Sequence, residues 1–123
     1  SRVIIYACTS GYPVPFDELC LLEIKKLISD FGNRVKSVGF SGHHLGIAAD
    51  VAAYALGADW IERHFTLDRT FKGTDHAASL EPNGLRTLKR DLISAYMSLK
   101  LKTSSGLLKN EMFQRKKLKR III

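Results

Sequence analysis

The sequence has no run of eighteen or more apolar residues, which excludes a membrane-spanning helix. It has two cysteines, too few for a disulfide framework. Cys8 falls in a strand-like run and Cys20 in a helix-like run, so both are expected to be buried free thiols in a reducing, cytoplasmic setting. The opening residues SRVIIYACTSGYP lack a cleavable signal region and read as a buried strand. No methionine precedes Ser1, and the expectation is a chain that starts partway through something larger. Disorder is excluded by an apolar content of 46% over 123 residues, enough for one domain or a piece of one.

The net charge of +7 is concentrated in one place. Residues 100–120 hold eight Lys or Arg and one Glu, while the rest of the chain balances at eleven of each sign. A basic tail of this kind suits nucleic acid, a solvated linker, or a segment that packs on another domain. The last two together are favoured, and a nucleic-acid partner is not expected.

The remaining pattern repeats. Residues 2–10 (RVIIYACTS), 35–44 (VKSVGFSGHH) and 58–66 (ADWIERHFT) read as strands. Between them lie a helix capped by Asp17 and closed by Gly32, with Cys20, Ile24, Leu27, Ile28 and Phe31 on its apolar face, and a small helix closed by Gly57. A loop from Leu67 to Glu81 follows. Pro82 then opens a helix with Leu85, Leu88, Leu92, Ala95, Tyr96 and Leu99 on one face. Three strand–helix units in series predict an α/β fold with a parallel sheet. The intervals match those of a (β/α)8 barrel, whose eight units take roughly 250 residues. Either a small open doubly wound sheet or part of a larger barrel fits. A fourth strand is conceivable only in the terminal stub Ile121–Ile123.

Chemistry in α/β folds collects at the C-terminal ends of strands, and the polar residues of interest lie there. Thr9, Ser10 and Tyr12 close or follow the first strand, Ser41, His43 and His44 the second, Glu62 and His64 the third. Side chains alternate between faces, so Gly39, Ser41 and His43 share one face, as do Trp60, Glu62, His64 and Thr66, while Ile61, Arg63 and Phe65 take the other. On adjacent strands about 4.8 Å apart, His43 and His64 can converge on one divalent cation. Otherwise each is a satisfied polar residue at a strand end. His44 receives no ligand role; it opens the next helix or lines the rim. Glu62 suits proton transfer, a substrate hydroxyl, the orientation of an imidazole, or an internal ion pair. Ser10 and Ser41, beside Gly11 and Gly42, suit an anion, though serine and glycine also simply end strands. Asp75 suits sugar hydroxyls or an Asx-turn, and His76 is either at the site or solvated.

The three stretches ACTSGYPVPF, VGFSGHHLGIA and WIERHFTLDRTFKGTDHAASLEP, in that order, resemble the C-terminal part of the catalytic barrel of sialic acid synthases, from about Val3 to about Leu99. Legionaminate, pseudaminate and 9-phosphate-forming synthases share the pattern. The resemblance implies a partial TIM (β/α)8 barrel, its three units equivalent to the last three. It implies condensation of phosphoenolpyruvate with an N-acetylmannosamine-type sugar, with Mn2+ or Mg2+ as cofactor. His43 and His64 match the metal-binding histidines. Glu62 and Asp75 match catalytic positions, with Asp75 also near the sugar. Tyr12 matches a sugar contact, and Ser10 and Ser41 match positions near the phosphoenolpyruvate anion. Residues 1–102 would belong to the barrel, and residues 103–123 would be a basic linker toward a C-terminal antifreeze-like domain. In the family that domain completes a homodimer.

The sequence departs from many relatives at Ser10, where asparagine is common, and at Gly42 and His44, where Asp and Thr are common. With three of eight strands, the chain alone is expected to be inactive. The rivals are a ketodeoxyoctonate- or heptulosonate-type synthase, against which the three motifs argue, an interaction module with a basic tail, and a non-catalytic truncated product.

Overall fold

The structure, a computed structural model, describes residues 1–103 and 105–119. The stub Ile121–Ile123, weighed above as a further strand, lies outside the described residues. Three strands, β1 (Ile4–Cys8), β2 (Ser37–Gly42) and β3 (Trp60–Arg63), form one parallel sheet in the order β1-β2-β3. Helices α1 (Glu23–Phe31) and α2 (Ala48–Ala55) make the crossovers, α3 (Pro82–Ser98) follows β3, and α4 (Lys109–Leu118) ends the described chain. The α/β expectation holds. Among the described residues no helix is long and apolar enough to cross a membrane.

The middle strand, β2, has a partner on each side and is buried from Val38 to Gly42. Its pleat sorts the residues. Val38 and Phe40 join Ala7, Ile24, Ala49, Ala53 and Ala58 in the apolar core. Burying a side chain such as Phe40 contributes roughly 1.5–3 kcal/mol. Alanines at three of these places let α2 and its flanks approach the sheet closely. Gly39 and Ser41 face the other way.

Several element boundaries differ from the sequence reading. Asp17 caps no long helix: it lies in a 3-10 turn, Phe16–Glu18, and α1 begins at Glu23 after Leu22, with no side-chain cap. The break is at Cys20, whose φ of 48° is left-handed and cannot continue a right-handed helix. Of the expected apolar face only Ile24 is fully buried. Both cysteines are exposed rather than buried. Cys20 sits at that break, and Cys8 lies on the sheet face that no helix covers among the described residues. β3 is shorter than expected, and the loop after it is not structureless. Leu80 returns to form a parallel bridge with Phe65, with Leu80 N–H donating to His64 O (2.8 Å) and Thr66 N–H to Leu80 O (2.9 Å). On α3 only Leu88 is buried, while Leu85, Tyr96 and Leu99 are exposed, because the described residues place no layer beyond α2 against that face. The basic tail contains a regular helix, α4, with no buried residue.

The uncovered sheet face is tight at one point. A Cβ on Gly39 would lie 2.5 Å from Tyr6 Cε1 and 2.9 Å from the Trp60 carbonyl oxygen, so Tyr6 lies across a position only glycine leaves open. Gly39→Val should therefore destabilise the chain by about 1–3 kcal/mol through overpacking. A urea unfolding curve with an unshifted midpoint would show that Tyr6 moves aside freely.

Candidate functional site

Strand register arranges the uncovered face in rows. Tyr6, Gly39 and Trp60 are paired across the three strands, and two residues further on Cys8, Ser41 and Glu62 are paired. One more step along the pleat leads past the strand ends to His43 and His64. Their ring centroids are 5.1 Å apart. Tyr12 closes the group, its ring 4.8 Å from His43 and 5.6 Å from His64. The turn that carries Tyr12 is fastened by Val14 N–H donating to His43 O at 2.9 Å.

Each imidazole has one nitrogen accounted for. His43, 6% exposed, places Nδ1 3.1 Å from the Thr9 carbonyl, which can only accept, so Nδ1 carries the proton and Nε2 keeps its lone pair. His64 Nδ1 faces Asp75 Oδ2 at 3.6 Å, a contact longer than a hydrogen bond. Ser41 donates its hydroxyl to Glu62 Oε1 at 2.8 Å. The structure thus brings Tyr12, His43, His64 and Asp75 into one group, with the Ser41–Glu62 pair one row below. Ser10 is exposed and makes no side-chain hydrogen bond among the described residues. His76 stands apart, edge-on to Phe71 at 6.1 Å, with its Nδ1 buried and unpaired among the described residues.

A ligating histidine typically turns its other ring nitrogen to a carbonyl or carboxylate, as both do here. The donor set fits a divalent ion of the Mn2+, Fe2+ or Zn2+ kind, with further ligands from water or other groups. Among the described residues no cluster of three or more His, Cys, Asp or Glu could complete the set.

On the opposite face lies a group that the sequence reading missed. His44 lines no rim: it is fully buried, stacked on Phe40 with centroids 5.9 Å apart. Arg63, with a side chain 3% exposed, donates from Nη1 to Asp50 Oδ2 (2.6 Å) and Gly46 O (2.7 Å), and from Nη2 to His44 O (2.7 Å) and Ala78 O (3.3 Å). Those four bonds use every hydrogen on the two terminal nitrogens. His44 Nε2, 3.2 Å from Asp50 Oδ2, therefore carries its own proton and donates it to that carboxylate. Two signals were available: an aspartate inside an apolar helix, and an arginine that alternation sends toward the core, where a charge needs a partner.

Comparisons with known proteins show the family of the chain. A family model described as the NeuB family matches residues 1–103. N-acetylneuraminate-9-phosphate synthase of Homo sapiens is 49% identical over 88 residues, 69% of this chain and 23% of that protein. N,N'-diacetyllegionaminic acid synthase of Campylobacter jejuni is 45% identical over 87 residues, 71% of this chain and 25% of that protein. The crystal structure of N-acetylneuraminic acid (sialic acid) synthetase from Leptospira borgpetersenii, in complex with citrate, superposes with a TM-score of 0.72 at 30% identity, covering 96% of this chain and 41% of that one. The chain spans about a quarter of the length of the curated relatives it matches.

The loop that carries Asp75 is pinned at its start. Thr70 donates both its hydroxyl (2.6 Å) and its N–H (2.8 Å) to Asp68 Oδ1. These bonds favour the ionised form, the hydroxyl most, and hold the Asp68 carboxyl below its ordinary value of 3.8. Because the folded-state value is depressed, the contribution to stability is present above pH 3.8 and fades as pH falls through the lower folded value. Thr70→Ala should raise the Asp68 titration, read by carboxyl 13C NMR, toward that of an ordinary aspartate. An unmoved titration would show that the hydroxyl does not set it.

Proposed function

This chain belongs to the NeuB family, and we propose that it forms the last three strand–helix units of a synthase barrel that condenses phosphoenolpyruvate with an N-acetylmannosamine-type sugar. The observation that supports this most is the convergence of His43 and His64, each with Nδ1 turned to an acceptor and Nε2 left over. In the reaction, C3 of the enolpyruvate bonds to the aldehyde carbon of the open-chain sugar, water adds at C2, and phosphate leaves with C–O cleavage.

His43 and His64 would hold Mn2+ or Mg2+. When bound, that ion supplies a Lewis-acid contact for the aldehyde oxygen. Asp75 orients His64 and reaches the sugar hydroxyls from the loop. Tyr12, 44% exposed and packed on both imidazoles, gives the sugar an amphipathic wall. Glu62, held by Ser41, takes the proton that the adding water loses. Ser10 and Ser41 stand at strand ends on the side of the phosphoenolpyruvate anion. The product is a nonulosonic acid.

Three strands do not close a barrel, so in this reading the chain alone performs no turnover. Residues 103–123 act as the basic linker toward an antifreeze-like domain, and the complete enzyme works as a cytoplasmic homodimer.

Residues 1–103 can be grafted in place of the matching segment of the Campylobacter legionaminic acid synthase. The graft should release phosphate from phosphoenolpyruvate in the presence of Mn2+ and an N-acetylated hexose. His43→Ala and His64→Ala in it should each lower the rate by at least the roughly 10–100-fold that loss of a ligand's supporting partner costs. The 123-residue chain should show no turnover. A folded graft without synthesis, or full activity in both variants, would overturn the reading.

A further inference from the structure

We propose that Arg63 is the positioning residue of this site, a buried fork that locks the two loops carrying His43 and Asp75 to the strand end carrying Glu62 and His64. That these residues form one site rests on the synthase reading; the lock itself rests on the geometry. Arg63 is the last residue of β3 and pairs with Gly42, the last residue of β2. Its neighbours Glu62 and His64 face the open side of the sheet, and its own side chain faces the core.

There Nη2 joins two chain segments far apart in sequence: the His44 carbonyl, one residue beyond His43, and the Ala78 carbonyl in the 3-10 turn His76–Ala78. Asp75 belongs to that same turn, since Ser79 donates its hydroxyl to Asp75 O at 2.8 Å. Nη1 adds the Gly46 carbonyl and the Asp50 carboxylate, which His44 Nε2–H also supports. Movement of either loop away from the strand end breaks a bond to a charged donor.

Lysine cannot replace this. It is a point charge on a flexible stem and lacks the planar spread of donors that reaches both loops at once. Nor does stability alone explain the arrangement, because a buried ion pair is often no better than an apolar pair of similar size. The fork supplies geometry, and a metal site depends on the supports of its ligands as well as on the ligands.

The test uses the 123-residue chain, with amide hydrogen exchange followed by NMR and Mn2+ affinity followed by EPR. The variants are Arg63→Lys, which keeps the charge opposite Asp50, and the double variant Arg63→Met with Asp50→Leu, which removes the pair altogether. In both, exchange at Val14, Asp50, Ser79 and Leu80, whose N–H groups donate to His43 O, Ile47 O, His76 O and His64 O, should accelerate at least about tenfold, as expected for loss of a charge-assisted hydrogen bond that holds these loops. Exchange in β2 at Val38 and Phe40 should stay as in the wild type. Mn2+ affinity should fall by about tenfold or more.

Loops as protected as in the wild type would overturn the proposal. So would loss of β2 protection in both variants, which would make Arg63 a residue of general stability. His43→Ala and His64→Ala serve as the separate control. Unchanged Mn2+ binding in those two would remove the metal reading, while the exchange rates still decide the role of Arg63.

Discussion

Successive side chains of a strand point to opposite faces, and the end of β3 turns that constraint to use. Glu62 and His64 face the open side of the sheet; Arg63, between them, cannot. It is driven into the core with a charge that must be neutralised, and Asp50 on α2 does so at 2.6 Å. Once there, the two terminal nitrogens of the guanidinium also donate to the carbonyls of His44, Gly46 and Ala78. The face that carries Glu62 and His64 and the buried charge cluster behind it are therefore two sides of one short strand, separated by the thickness of the sheet. Parallel register extends the same logic sideways, since it sets Ser41 beside Glu62 and leads β2 to end where His43 meets His64.

Much of this was legible in the sequence. The three strand–helix units stand out because each strand ends in a polar cluster and each helix follows a turn. Alternation alone put His43 and His64 on one side and Arg63 on the other, and the structure agrees. What the pattern could not express was context. Cys20 has the spacing of a core residue, yet the chain adopts a left-handed conformation there and the helix begins later. Cys8 has the surroundings of a buried strand, yet it lies on a face that no helix covers. His44 follows His43 and looked like a rim residue. Only the partners Asp50 and Phe40, contributed by other elements, show that its ring belongs to the core. Burial is a property of what arrives from elsewhere in the chain, and apolar spacing reports only half of that.

The same limit governs α3 and the tail. The apolar spacing of α3 is real, but α2 is the helix it meets among the described residues, so Leu85, Tyr96 and Leu99 remain exposed. The acid-poor stretch after residue 100 is likewise more ordered than its composition implies. In α4, Glu111 lies near the helix N-terminus and Arg115, Lys116 and Lys117 near its C-terminus, each sign where the helix dipole favours it. These charges favour the helix at both of its ends, although none of its described residues is buried.

The bridge between Phe65 and Leu80 bears on how such a site can diversify. The segment between them leaves the sheet and returns to it at a fixed register, so both of its ends are anchored on the same strand extension. Closing a longer or shorter loop between fixed ends changes the entropy only slowly with length. Phe71 and Lys72 are exposed, between the Thr70 pin and Gly73, and residues can be gained, lost or exchanged there while the anchors and the histidines keep their places. The stretch behaves as an interchangeable cassette between fixed anchors, whose length and sequence can change without a rebuilt core.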